Sequence, residues 1–151
     1  MTRHFAVVGS GSIGIGWAIV FARAGNTVKV YDLEQSRLDI FTQGVNERLQ
    51  VLQEEGLLNE GADIVCSRIS TSLDLAESLE GAEYIQECAP EQLEIKKALF
   101  ATLEALASNS AIIASSSSAL KISSFTSDLS TRTRCLVVHP GNPPYLLPVV
   151  E

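Results

Sequence analysis

His4-Phe5-Ala6-Val7-Val8-Gly9-Ser10-Gly11-Ser12-Ile13-Gly14 opens the chain, and Thr27-Val28-Lys29-Val30-Tyr31-Asp32 follows after a helix-like run to Gly25. A short apolar strand enters a glycine-rich turn, an amphipathic helix leaves it, and a second strand closes on an acid. Gly9 permits the tight turn, Gly11 admits close backbone approach by a pyrophosphate, and Gly14 lets the helix lie on the sheet. The helix N-terminus would then aim free N–H groups and the positive dipole end at the bound anion. Asp32 follows Gly14 by 18 residues, near the separation of about 20 that such an acid keeps. The pattern predicts dinucleotide binding; an empty strand–helix–strand scaffold is the plainer alternative.

Asp32 ends its strand where an adenosine ribose lies in such folds. Its carboxylate accepts from ribose hydroxyls and repels a 2′-phosphate, so NAD is favoured over NADP. Arg37 is near enough in sequence to offset that repulsion, although Leu33 to Ser36 intervene. The second reading of Asp32 is a cap for the next helix.

Beyond this unit, strands and helices alternate. Helices are predicted over Ser12–Ala24, Glu34–Glu55, Asp74–Leu79, from Pro90-Glu91 through Leu106, and around Ile122–Ser127. Strands are predicted at Arg68–Thr71, Ala82–Cys88, Ala111–Ala114, Arg134–His139 and Leu146–Glu151, with Leu57–Ala62 irregular. The apolar stripe Leu38, Phe41, Val45, Leu49, Leu52 carries the long second helix. This alternation predicts an α/β, Rossmann-type doubly wound, mainly parallel sheet with helices on both faces. One domain over residues 1–151 fits the length, and the 46 % apolar content is enough for a core.

A formal charge of −7 argues against nucleic-acid or anionic-membrane surfaces, which need clustered Lys and Arg. No stretch approaches the roughly 20 apolar residues of a membrane span, and a strand starting almost at Met1 leaves no room for a leader. Three cysteines, Cys66, Cys88 and Cys135, form no CxxC pair, which fits a reducing, cytoplasmic setting. Two histidines and no Cys/His cluster predict no metal site.

Ligands of such sheets bind beyond the carboxyl ends of the strands. That rim gathers the glycine turn, Asp32, Cys88 to Glu91, Ser115 to Ser118, and His139. His139 is the candidate general base and Glu151, ending the next segment, its orienting carboxylate; a structural histidine without that contact is the alternative. The serine run is either a flexible loop or a set of hydroxyls for nicotinamide or substrate. Lys96 either reaches the ribose or a substrate anion, or snorkels from the margin of its helix's buried stripe. Cys88 reads as a buried strand-end residue.

The chain resembles the N-terminal part of the 3-hydroxyacyl-CoA dehydrogenase superfamily. Within it, the chain most resembles the branch holding lambda-crystallin and L-gulonate 3-dehydrogenase. The matching segments are Val8–Gly14, Val30–Gln35, Ile85–Glu91, Lys96-Lys97, Ser115–Leu120, and His139-Pro140-Gly141-Asn142-Pro143-Pro144-Tyr145 through Glu151. The resemblance implies that Ser12, Ile13, Asp32, Glu91 and Lys96 bind NAD, that Ser118 contacts substrate hydroxyl or nicotinamide, and that His139 and Glu151 are base and partner. It implies hydride transfer from the secondary 3-hydroxyl of a small hydroxy acid to NAD. It also implies a helical C-terminal domain beyond Glu151 and a homodimer when full length. This chain alone is then expected to bind NAD but turn over poorly. The family's acyl-CoA branch usually carries asparagine where Ser116 stands. The alternatives are a 3-hydroxyacyl-CoA dehydrogenase domain and a non-catalytic, crystallin-like or NAD-binding module.

Overall fold

In the computed structural model, which describes residues 2–151, the core is a parallel six-stranded sheet in the order β3-β2-β1-β4-β5-β6. The strands are β1 (His4–Val8), β2 (Thr27–Tyr31), β3 (Ile69–Ser72), β4 (Tyr84–Glu87), β5 (Ile112–Ser115) and β6 (Cys135–Val137). The helices are α1 (Ser12–Arg23), α2 (Gln35–Glu54), α3 (Ala62–Cys66), α4 (Leu75–Leu79), α5 (Leu93–Leu106) and α6 (Ser123–Thr126). The strand order reverses between β1 and β4, and there the crevice for a ligand opens.

The side-chain period of two in β1 divides the core. Val7 packs with Val28, Val30, Ile15, Ile19, Phe41 and Leu49 on one face. Ala6 and Val8 pack with Ile85, Ile113, Phe100 and Leu103 on the other. A sheet covered on both faces needs strands apolar on both sides, as β1 is. Phe21 adds aromatic contacts to this core, stacking on Trp17 at 5.2 Å and meeting Phe5 edge-on at 4.9 Å.

Several boundaries differ from the sequence reading. The helix expected from Pro90-Glu91 starts at Leu93, with Gln92 as its N-cap. The Pro90 carbonyl accepts from the Gln92 amide at 2.8 Å, a tight turn that keeps Glu91 out of the helix. Leu146–Glu151 is not a strand, because Pro148 interrupts it and supplies no N–H for a ladder. The segment folds back as a loop with one antiparallel bridge, Pro140 to Val150. β6 stops at Val137, so His139 lies beyond the strand. The unanticipated α3 is five residues long, too short to show a helical period. Among the described residues no helix is long and apolar enough to cross a membrane.

Candidate cofactor and active site

The β1–α1 turn is built by contact. Gly9 has φ +108°, and a Cβ there would meet the Cys88 carbonyl oxygen at 2.7 Å. A Cβ on Gly14 would lie 2.0 Å from the Gly9 carbonyl oxygen. These two glycines let the turn close on itself and on the end of β4. Gly11 differs, since a Cβ there would find nothing within 4 Å. It is also the N-cap of α1, with no side chain capping the helix. The first amides of α1, including those of Ser12 and Ile13, thus open toward free space at Gly11.

Asp32 stands beside this opening. Its Oδ2 accepts from the Ser10 amide at 2.9 Å and the Ser10 hydroxyl at 2.7 Å, and its Oδ1 from the Leu33 amide at 2.8 Å. Burial pushes its pKa up, but the Ser10 and Leu33 hydrogen bonds and nearby Arg37 outweigh this and hold it below the usual value. Asp32 caps no helix: the N-cap of α2 is Glu34. Arg37 Nε comes within 3.9 Å of Asp32 Oδ1 despite the intervening residues.

A cleft of about 230 Å³ lies against the first turn of α1. Ile13, Cys88, Glu91, Ser116, Ser118 and His139 line it, so separated segments meet there as the strand ends predict. His139 and Glu151 exchange backbone hydrogen bonds, His139 N to Glu151 O at 3.0 Å and Glu151 N to His139 O at 2.8 Å. Their side chains approach to 3.6 Å, Nδ1 to Oε2. That is ion-pair range and longer than a hydrogen bond, with the Glu151 carboxylate 84 % exposed. The loop carrying both is pinned to α1. Pro144 packs where Gly16 lacks a side chain, since a Cβ on Gly16 would lie only 2.5 Å from Pro144 Cδ. Arg23 Nη1 also donates to the Tyr145 carbonyl at 2.9 Å.

The serine run is ordered by Glu91. Glu91 Oε1 accepts from the Ser117 hydroxyl at 2.6 Å and the amides of Ser118, Ala119 and Leu120 at 3.1, 2.9 and 3.2 Å. Partial burial raises its pKa, but these donors and Lys96 prevail and bring it to about 2. The run is therefore a clamped loop presenting Ser118 to the cleft, not a flexible one.

Lys96 is enclosed, 1 % exposed, rather than at a helix margin. Its ammonium donates to both Glu87 oxygens at 2.8 and 3.0 Å and to the Ala89 carbonyl at 3.3 Å, and lies 3.5 Å from Glu91 Oε2. Neither snorkelling nor the expected direct contact with a ribose or substrate anion fits this enclosed ammonium, whose partners are Glu87, Ala89 and Glu91. Glu87, also fully buried, accepts in addition from the Ala89 amide at 2.6 Å and the Ser115 hydroxyl. Sequence reasoning passed over Glu87 and Gln86; the available signal was two polar residues ending an otherwise apolar strand. Cys88, expected to be a buried strand-end residue, is instead half-buried in the cleft wall just past β4; desolvation still raises its thiol pKa to about 12, so it remains a thiol.

Residues 4–151 match the family described as 3-hydroxyacyl-CoA dehydrogenase, NAD binding domain. The chain belongs to that family. Among curated relatives, a lambda-crystallin homolog from Rattus norvegicus is 42 % identical over 96 % of this chain and 46 % of its own length. An L-carnitine dehydrogenase from Pseudomonas sp. is 40 % identical over 99 % of this chain and 46 % of its own. The chain spans about half the length of these relatives. A 3-hydroxybutyryl-CoA dehydrogenase structure from Escherichia coli K12 superposes with a TM-score of 0.93 at 30 % identity, covering all of this chain and 32 % of that one.

The family domain binds NAD, and the residues present fit that cofactor. The uncapped α1 N-terminus with open space at Gly11 suits a pyrophosphate, whereas Gly9 and Gly14 are filled by backbone. The ionised Asp32 beside it is an acceptor for ribose hydroxyls.

Proposed function

We propose that this chain is the cofactor-binding half of an NAD-dependent 3-hydroxy-acid dehydrogenase of the L-gulonate 3-dehydrogenase type. The observation that carries the reading is the cleft that brings Ile13 of the first turn of α1 together with Ser118 and His139, whose ring lies 3.6 Å from the Glu151 carboxylate. In this reading Gly11 and the amides of Ser12 and Ile13 receive the pyrophosphate, Gly9 and Gly14 close the turn that presents them, and Asp32 takes the ribose. Bound there, NAD supplies the hydride acceptor for oxidation of a secondary alcohol. His139 takes the proton from the alcohol oxygen, and Glu151 orients the ring through Nδ1 so that Nε2 faces the substrate. Ser118 donates to the substrate oxygen. Glu91 acts by clamping the serine loop while lining the cleft, and Lys96 supports Glu91 and Ala89 from beneath.

Residues 1–151 form the NAD domain in this proposal, completed in the full-length protein by a helical C-terminal domain. The complete enzyme is cytoplasmic, a homodimer, and acts on a small hydroxy acid. The relatives named L-carnitine dehydrogenase support a free hydroxy acid over a CoA thioester.

Calorimetric titration with NAD and NADP tests the cofactor half, with Asp32→Ala as the probe of selectivity. Wild type is expected to prefer NAD, and the variant to lose that preference; an unchanged preference removes Asp32 from its role. Assays of a full-length protein against L-gulonate, L-carnitine, 3-hydroxybutyrate and 3-hydroxybutyryl-CoA test the substrate class. Faster turnover of the thioester than of every free acid would refute it. Robust gulonate oxidation by residues 1–151 alone would refute the division of labour.

A further inference from the structure

Ser116 stands in the cleft wall two residues before Ser118, and its hydroxyl is surrounded by donors. Trp17 Nε1 donates to Ser116 Oγ at 3.1 Å and Gln86 Nε2 donates at 2.8 Å. An indole N–H and an amide N–H only donate, so both lone pairs of Oγ are engaged. The Ser116 proton must therefore leave in the remaining direction. Cys88 Sγ lies there at 3.3 Å.

The neighbours fix this polarity. Gln86 Oε1 accepts from the Tyr84 hydroxyl at 2.8 Å, while Nε2 also faces the Val138 carbonyl at 3.5 Å. Flipping the amide would set oxygen against that carbonyl. Burial raises the Tyr84 pKa, so its hydroxyl remains a donor. The Cys88 thiol directs its own proton toward the Gln86 carbonyl at 3.9 Å. Its sulfur is thus a weak acceptor, easily displaced by a carbonyl oxygen. A one-way sequence of donors runs from Tyr84 through Gln86 to Ser116 and ends in the cleft.

We infer that Ser116 is a cofactor-orienting residue whose hydroxyl donates to the carboxamide oxygen of the nicotinamide, leaving Cys88 sulfur for the stronger acceptor. This rests on the reading above that the nicotinamide end of NAD occupies this cleft. A hydroxyl with no lone pair to spare takes the oxygen of a carboxamide and turns away its NH₂. The donor chain therefore sets the rotation of the carboxamide, a task for which Trp17 and Gln86 are held in the core.

The test is calorimetric titration of wild type, Ser116→Ala and Ser116→Cys with three cofactors. These are NAD, 3-acetylpyridine adenine dinucleotide (which keeps the carbonyl and lacks the NH₂), and pyridine adenine dinucleotide (which lacks the whole group). Wild type is expected to bind the first two alike and the third about fivefold more weakly, the worth of one neutral hydrogen bond. In Ser116→Ala that difference should vanish, and in Ser116→Cys, which keeps the packing and a weaker donor, it should shrink. Should the alanine variant not fold, the cysteine variant decides. Equal binding of all three by wild type, or an undiminished difference in the variants, overturns the proposal. Failure of wild type to bind any of the three overturns the placement of NAD, and this inference with it.

Discussion

Lys96 and Glu87, nine residues apart in the chain, form an ion pair closed to solvent, with the ammonium 2.8 and 3.0 Å from the two carboxylate oxygens. It joins the end of β4 to α5, and through Ser115 and Ala89 it reaches β5 and the cleft wall. Desolvating two charges is costly, so such a pair is weak evidence of net stabilisation, but breaking one side leaves a buried charge unpaired.

Lys96→Met should accordingly destabilise the fold by about 3–5 kcal/mol. Adding Glu87→Gln, which removes the orphaned charge and keeps acceptor capacity for Ser115, should recover part of the loss. Chemical denaturation of the wild type, the single variants and the double variant measures both effects. A double variant no more stable than Lys96→Met would contradict the pair's role.

The glycines of the turn should separate folding from binding. Gly11→Ala adds a methyl into open space, so its stability should stay within about 1 kcal/mol of wild type. Its NAD affinity should fall at least about tenfold, because that space is assigned to the pyrophosphate. Gly14→Ala instead drives a Cβ onto the Gly9 carbonyl oxygen and should cost about 3 kcal/mol. Melting curves beside NAD titrations distinguish the two; wild-type affinity in Gly11→Ala would refute the pyrophosphate assignment.

Glu91 gives the fold a dependence on acid. Its pKa is depressed from 4.5 to about 2, so the stabilisation is complete above the unfolded value. It is lost progressively as pH falls from about 4.5 toward 2. The side chain is 37 % exposed, and solvent screening limits the effect to about 1 kcal/mol. Glu91→Gln should be less stable than wild type by that amount at neutral pH and equal to it once pH falls to about 2. Denaturation midpoints across this range supply the measurement, and a gap that persists at the acid end would speak against the clamp.

His139→Ala in a full-length dehydrogenase carrying this domain should leave NAD affinity unchanged and reduce kcat by about 10²–10⁴-fold. Glu151→Gln should reduce it less, because the backbone bonds between residues 139 and 151 survive the change. Single-turnover kinetics with a separate NAD titration test this. A His139→Ala variant with normal turnover would remove the base from the mechanism.

Much of the fold is legible in the sequence because it rests on local rules. Glycines at 9, 11 and 14 demand a turn, Asp32 ends a period-two strand, and Leu38 to Leu52 recur with a helical period. The locations of His139 and Ser118 follow from strand ends. The loop at Leu146–Glu151 is not legible in the same way, because its apolar residues suggest a strand while Pro148 withholds a donor that a ladder needs. Glu91 has the local signature of a helix start, and only the turn at Pro90 aims its carboxylate at the serine amides.

By itself, then, the sequence determined the parallel sheet, the anion-binding turn and the gathering of separate segments at one rim. These depend on backbone preference and on the side-chain period, which are written locally. The tertiary structure decided which polar groups face one another. Lys96 turned inward to Glu87, Ser116 received two donors from α1 and β4, and Glu151 was laid against His139. Such pairings depend on the packing of helices onto both faces of the sheet, which fixes distances between residues far apart in the chain.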